Sequence, residues 1–188
     1  MLPEAIRKRF ANPGDLEREF LNYLEEAGLE INQSKTIAQV NYYHQQAVTQ
    51  DVVQFFNNNY TAALTNIEGN SFVRPESEHV VIYAIRVSSN VGGASPDGVF
   101  YTPGILGNGP LDNAVISINN NKVTDLNVYP MGEALDNLTT KDQGLILLDE
   151  PIIWAGQTTL ILSLKKLTAL AYTTNTNVRF SLIGIGLI

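Results

Sequence analysis

Residues 144–166 read GLILLDEPIIWAGQTTLILSLKK, and the fold is decided there. Leu145, Ile146, Leu147 and Leu148 form a short continuous apolar run. Asp149, Glu150 and Pro151 interrupt it, because proline has no N–H to give a strand ladder. Ile152, Ile153 and Trp154, the only tryptophan, come next, and Ala155-Gly156-Gln157 marks a second break. Beyond it, Leu160, Leu162 and Leu164 share one parity while Thr159, Ser163 and Lys165 share the other. That period of two is what a strand with one buried face requires. Asp149-Glu150-Pro151 reads as a turn between strands, and the rest of the chain is expected to pack against this region.

The flanking sequence continues the pattern. In 79–88, Val81, Tyr83, Ile85 and Val87 alternate with Val80, Ile82, Ala84 and Arg86. Both faces are apolar at the start, which points to a central strand. Residues 90–110 are dense in glycine and proline and read as a long loop with a short extended piece at 99–101; long ordered loops carry function or lie at contacts. Ala114, Ile116 and Ile118 alternate with Val115 and Ser117. Asn119-Asn120-Asn121-Lys122 is a hairpin turn, and the return strand runs over 123–129 with Leu126 and Val128 inward. Residues 133–138 suit one helical turn. Residues 167–172 extend or follow the opening stretch. After a polar turn, Val178, Phe180 and Leu182 alternate with Arg179 and Ser181 in a last strand that runs to the apolar end at Ile188. Such an end must be buried, as a central strand or against another subunit. Six to eight short strands separated by turn signals specify an antiparallel β-sandwich. A jelly roll is the expected version and an immunoglobulin-like sandwich the alternative.

The N-terminal part has a different texture. Asn12-Pro13-Gly14-Asp15 is a helix start, with a cap, a proline at the first position and an acid in the first turn. Leu16, Phe20, Tyr23, Leu24 and Ala27 then form one apolar stripe, and Gly28 is the stop. From Ser34 onward, Ile37, Val40, Tyr43 or His44, Ala47 and Val48 fit a second helix, and Asp51, Val52, Val53, Phe55 and Phe56 continue it or begin a third. Glycine and proline are absent from 29–68, which favours helix over loop. The expectation is therefore a mainly β protein with a helical N-terminal segment over 1–74 and a sandwich domain over 75–188.

The 188 residues carry 12 basic and 19 acidic side chains, a net charge of −7. The acid excess runs through both halves, which argues against a protein that coats nucleic acid. At most Arg7, Lys8 and Arg9 could reach a phosphate or an acidic neighbour, and three charges are few for that purpose. There is no cysteine, which excludes disulfides, thiolate zinc sites and cysteine nucleophiles. No segment approaches the roughly 18 apolar residues of a membrane helix. The start, MLPEAIRKRF, lacks the apolar core of a secretion signal, so synthesis in a cytoplasm without signal-directed export is expected. The nineteen asparagines suit turns and repeated amide contacts.

Catalytic patterns are scarce. His44 and His79 are the only histidines and fall in different regions, which leaves no basis for a histidine triad or a histidine-rich metal site. Asp97-Gly98, Asp112-Asn113 and Asp149-Glu150 read as turns; a calcium ion shared by such loops lacks EF-hand spacing to support it. A carboxylate pair for glycoside hydrolysis is a matter of space, not of spacing. Phe100, Tyr101, Tyr129, Trp154 and Tyr172 are available for stacking on sugar, and core packing explains each as well. Gly104-Ile105-Leu106-Gly107-Asn108-Gly109 lacks the Lys-Ser/Thr of a phosphate-binding loop. No catalytic, metal or cofactor residue is assigned, and no enzyme activity is expected.

The phrase Pro151-Ile152-Ile153-Trp154-Ala155-Gly156-Gln157-Thr158-Thr159-Leu160-Ile161-Leu162 resembles strands of β-sandwich virion proteins of bacteriophages. The Asn/Thr-rich turns, acidic charge, lack of cysteine and helical N-terminal segment are similar to capsid-associated proteins of that group. The resemblance implies a non-enzymatic subunit of a virion that pairs with copies of itself or with other structural proteins, with the N-terminal helices and the apolar C-terminus as contacts. The alternative is a carbohydrate- or ligand-binding sandwich, adhesin-like, that uses the 90–110 loop.

Overall fold

A computed structural model describes residues 12–57, 61–68, 72–91, 102–103, 114–120, 123–130, 144–166 and 176–188. Helix α1 spans Pro13–Glu26. It starts as its sequence predicts: the Asp15 carboxylate accepts from both the backbone and the side-chain amide of Asn12, at 3.2 and 3.1 Å. It ends in a paired C-terminal motif, with Gly28 N–H on Glu25 O and Leu29 N–H on Leu24 O, both 2.9 Å. Gly28 sits at φ +65°, where a β-carbon is strained.

The strands are β1 (Ile37–Ala47), β2 (Val52–Phe55), β3 (His79–Val91), β4 (Thr102–Pro103), β5 (Ala114–Asn120), β6 (Val123–Pro130), β7 (Leu145–Trp154), β8 (Leu160–Lys166) and β9 (Thr176–Leu187). They form two antiparallel sheets. One runs β1-β9-β3, with β7 and the short β4 on the far edge of β3; the other runs β2-β8-β5-β6. The pairing is nested. β1 pairs with β9, β2 with β8, β3 with β7 and β5 with β6, so the chain lies along itself like a folded ribbon. The β3–β9 and β5–β8 ladders then close each sheet.

Two apolar layers follow from strand alternation. Val80, Ile82, Ile85, Trp154, Phe180 and Leu182 of the first sheet meet Phe55, Ile116, Ile118, Leu160, Leu162 and Leu164 of the second. On the outer face of the first sheet, Leu16, Phe20 and Leu24 of α1 cover Val81, Tyr83, Ile183, Ile185 and Leu187. The order is helix, sheet, sheet. The leucine alternation of 160–164 and the hairpin between β5 and β6 are as expected, and β3 is central.

The structure corrects three expectations. First, residues 37–47 and 52–55 are strands, not helices. The inner face of β1 carries Val40, Tyr42 and His44, so its alternation is masked by polar aromatics. What decides its conformation is β9, whose second edge needs a partner along its length. The sheets thus draw strands from both sides of residue 74. Second, Asp149-Glu150-Pro151 is not a turn between strands. β7 runs on, and 148–151 bulge out opposite Tyr83, between the pairs Ala84↔Leu147 and Ile82↔Ile152. β3 has its own bulge: Tyr83 is the extra residue between Ile82↔Gly184 and Ala84↔Ile183, which turns both Tyr83 and Ala84 toward α1. Third, the apolar C-terminus takes the first of its two expected places, a central strand and not a contact with another subunit: β9 lies between β1 and β3 of its own sheet. The return-strand side chains Leu126 and Val128, the helical turn at 133–138 and most of the 90–110 loop lie outside the described residues.

Among the described residues, side chains close parts of the β1 and β2 edges. Along β1, Asn66 Oδ1 accepts from Tyr43 N–H (2.7 Å), Asn66 Nδ2 donates to Asn41 O (2.8 Å), and the Thr65 hydroxyl donates to Tyr43 O. On β2, Gln46 Nε2 donates to Gln54 O. On β7, the acidic, proline-bearing bulge breaks the ladder. Each device blocks pairing with a further strand. Replacing Asn66 with alanine should cost about 1 kcal/mol and leave the β1 edge open. Light scattering should then show association that grows with concentration relative to the unaltered protein; equal scattering would mean the edge is protected otherwise.

Candidate functional site

Both histidines are buried and both accept a backbone N–H through Nδ1. His44 projects from the inner face of β1 and takes the N–H of Phe56 at 2.8 Å. Its ring sits among Phe55, Phe56 and Phe72, with centroids 5.8, 5.6 and 4.7 Å away. Burial without a charged partner pushes the imidazole down to about 4, so it is neutral at physiological pH. His79, at the start of β3, accepts from Gly156 N–H at 3.0 Å. Accepting at Nδ1 leaves its proton on Nε2, which lies 3.2 Å from Glu30 O. His79 therefore ties three segments together: the α1–β1 connection, β3 and the β7–β8 turn.

That junction borders a cavity of about 690 Å³, walled by 28–32, by Glu76 and Ser77, and by Gly156 and Gln157. Gly156 has to be glycine, since a β-carbon there would lie 2.2 Å from Glu76 O and 2.4 Å from Pro75 O. The turn is further fixed by Gln157 N–H on Arg74 O (2.9 Å), by the Thr158 hydroxyl on Ala155 O (2.6 Å) and by the Trp154 indole N–H on Thr158 O (3.1 Å). Trp154 is fully buried, with Tyr42 and Phe56 edge-on to it. It is a core residue, not an exposed platform for sugar.

A charged cluster closes the same end of the molecule. Glu78 accepts from Lys35 Nζ at 3.1 Å and pairs with Arg74, whose guanidinium also lies 4.8 Å from the centre of the Tyr42 ring. Burial pushes the Tyr42 hydroxyl up; Arg74 opposes this, while Glu78 and Glu68 add to it. Sequence reading did not find the cluster, because Lys35 and Glu78 are 43 residues apart and only the fold brings them together. The arrangement is a set of clamps on loops. Its imidazole nitrogens and carboxylate oxygens face backbone amides and cations, an arrangement that fixes chain segments.

The other candidates are more dispersed. Asp149 and Glu150 are exposed on the β7 bulge. Arg7, Lys8, Arg9, Asp97, Phe100, Tyr101, Asp112 and Tyr172, and the glycines of 104–109, lie outside the described residues, as does the Tyr129 side chain. Among the described residues there is no group of three or more acids and histidines that could hold a metal ion, and no helix long and apolar enough to cross a membrane. No family model matches the chain, and neither a curated protein nor a solved structure matches it.

Proposed function

We propose that the chain is a non-enzymatic structural subunit of a capsid-type assembly, of the kind built into bacteriophage virions, and that it works through contacts with copies of itself or with other structural proteins. The observation that supports this reading is the nested pairing of β1 with β9, β2 with β8, β3 with β7 and β5 with β6. We read that wrapping as a jelly roll, an architecture recurrent in viral shells and also in lectins. The step from fold to role is an analogy. The use of both histidines and of the Glu78 cluster as loop clamps is in keeping with it.

The termini expected to make the contacts are engaged within the chain itself, since β9 is central and α1 lies on the first sheet. The surface for assembly is then the flanks. Val52 on the edge strand β2 and Leu147 on β7 are 46% and 48% exposed, high for large apolar side chains. Light scattering over a concentration series should give a discrete oligomer or a particle. The double variant Val52→Asp, Leu147→Asp should weaken association by at least about tenfold with an unchanged melting temperature. A monomer at every concentration would overturn the proposal, and a glycan array would be the next measurement.

A further inference from the structure

Phe56 and Gln157 are the non-glycine residues with left-handed backbone among those described, at φ 56° and 57°. Gln157 occupies a tight turn, where a flexible polar side chain is tolerated. Phe56 is bulky, fully buried and directly after an edge strand, where this conformation is strained. It is held there by two things. Its N–H donates to His44 Nδ1 at 2.8 Å, and its ring packs edge-on against Phe72 and Trp154 with centroids 5.6 and 6.3 Å away. The hydrogen bond requires an unprotonated Nδ1, so a strained backbone depends on the charge state of one buried ring.

We propose that His44 and Phe56 form a proton-operated latch that keeps the β1–β2 corner closed at neutral pH and releases it in acid. Protonation places an N–H on Nδ1, directly opposite the Phe56 N–H, and two donors then face each other. It also puts a cation where His44 is only 1% exposed, among three phenyl rings. Loss of the bond lets Phe56 relax toward an extended backbone and leave its pocket. The corner yields before the rest because β2 has four residues and a ladder to β8 alone, whereas β3 and β9 are paired on both sides. Gln46 Nε2 on Gln54 O is a further tie across the corner.

The charged groups on the elements around His44 do not substitute for the proton. Asp51 before β2 and Glu68 beyond Thr65 are exposed. Arg74, after Phe72, is held by Glu78 and the Tyr42 ring. Arg179 of β9 lies on the opposite face of its sheet, over Tyr43, with its Nε 2.8 Å from Gln45 Oε1. Desolvation alone depresses the imidazole. The sign follows: the closed corner favours neutral His44, an open corner lets it take a proton at its ordinary pKa near 6.5, and acid therefore favours opening. The latch stands whether or not the chain assembles into a shell.

The test uses the full chain, titrated from neutral pH down to about 4, with amide exchange read by segment and Trp154 emission as a second probe. Residues 52–57 should lose at least about tenfold of their exchange protection while β3 and β9 keep theirs. His44→Asn, whose Oδ1 stands near the place of Nδ1 and does not titrate, should lose this response. A corner that opens only together with β3 and β9, or a variant that responds at the same pH as the unaltered protein, overturns the latch. If the variant does not fold, the His44 ring titration by NMR decides: protonation out of step with the opening of 52–57 also overturns it.

Discussion

Gly184→Ala should leave little folded protein. A β-carbon at this position would lie 2.1 Å from Val81 O and 2.9 Å from its carbonyl carbon, and both are backbone atoms. Gly184 belongs to β9, the strand flanked by both β1 and β3, and it pairs with Ile82 beside the bulge at Tyr83. Neither ladder can move aside without breaking the other. The cost should exceed about 4 kcal/mol, the range reached only by severe core disruption, and lower the melting temperature by about 10 °C or more. Gly186→Ala is the control on the same strand. Its added carbon would meet the side chains of Val40, Ile188 and Val80 at 3.1–3.3 Å, and side chains can shift. It should cost about 1–2 kcal/mol. Equal melting temperatures for the two variants would show that the tight approach at Gly184 is not a determinant of the fold.

Phe20→Asp should detach α1. Phe20 is fully buried between Leu16 and Leu24, against the outer face of the first sheet. A carboxylate there has no partner in an apolar layer, so the helix must leave or the acid must be protonated. The loss of phenyl packing alone is worth about 3–5 kcal/mol, and an unpaired charge adds to it. Undocking uncovers Val81, Tyr83, Ile183, Ile185 and Leu187 together, a continuous apolar face. The expected readouts are strong binding of a hydrophobic dye, protease cleavage near Gly28, and aggregation on warming. Glu17→Asp, on the exposed side of the same helix, should behave as the unaltered protein. A Phe20→Asp protein that melts within about 2 °C of the original would mean the helix contributes little to the sheet beneath it.

The two variants bear on how far the chain can be read without its structure. The stripe of α1 was legible because its periodicity, its start at Asn12 and its stop at Gly28 agree with one another. The leucines of β8 were legible because their alternation is clean. β1 has the look of a helix in sequence because Ile37, Val40, His44, Ala47 and Val48 are spaced as a helix would space them, and its Gln and Asn residues prefer neither state. Its conformation comes from β9, about 140 residues later, through eleven cross-strand pairs. The break at Asp149-Glu150-Pro151 was visible but its meaning was not, since a bulge and a turn use the same residues. The His44–Phe56 contact and the Lys35–Glu78–Arg74 cluster left no pattern along the chain.

The sequence by itself determined the layer chemistry: a helix with one apolar stripe and strands with apolar faces. Those are local properties, set by side-chain period. The tertiary structure alone decided which strand lies beside which, that the C-terminal strand is central, and that the histidines serve as clamps on loops. These depend on hydrogen-bond partners and burial contributed by distant residues, and one-dimensional spacing carries no record of them.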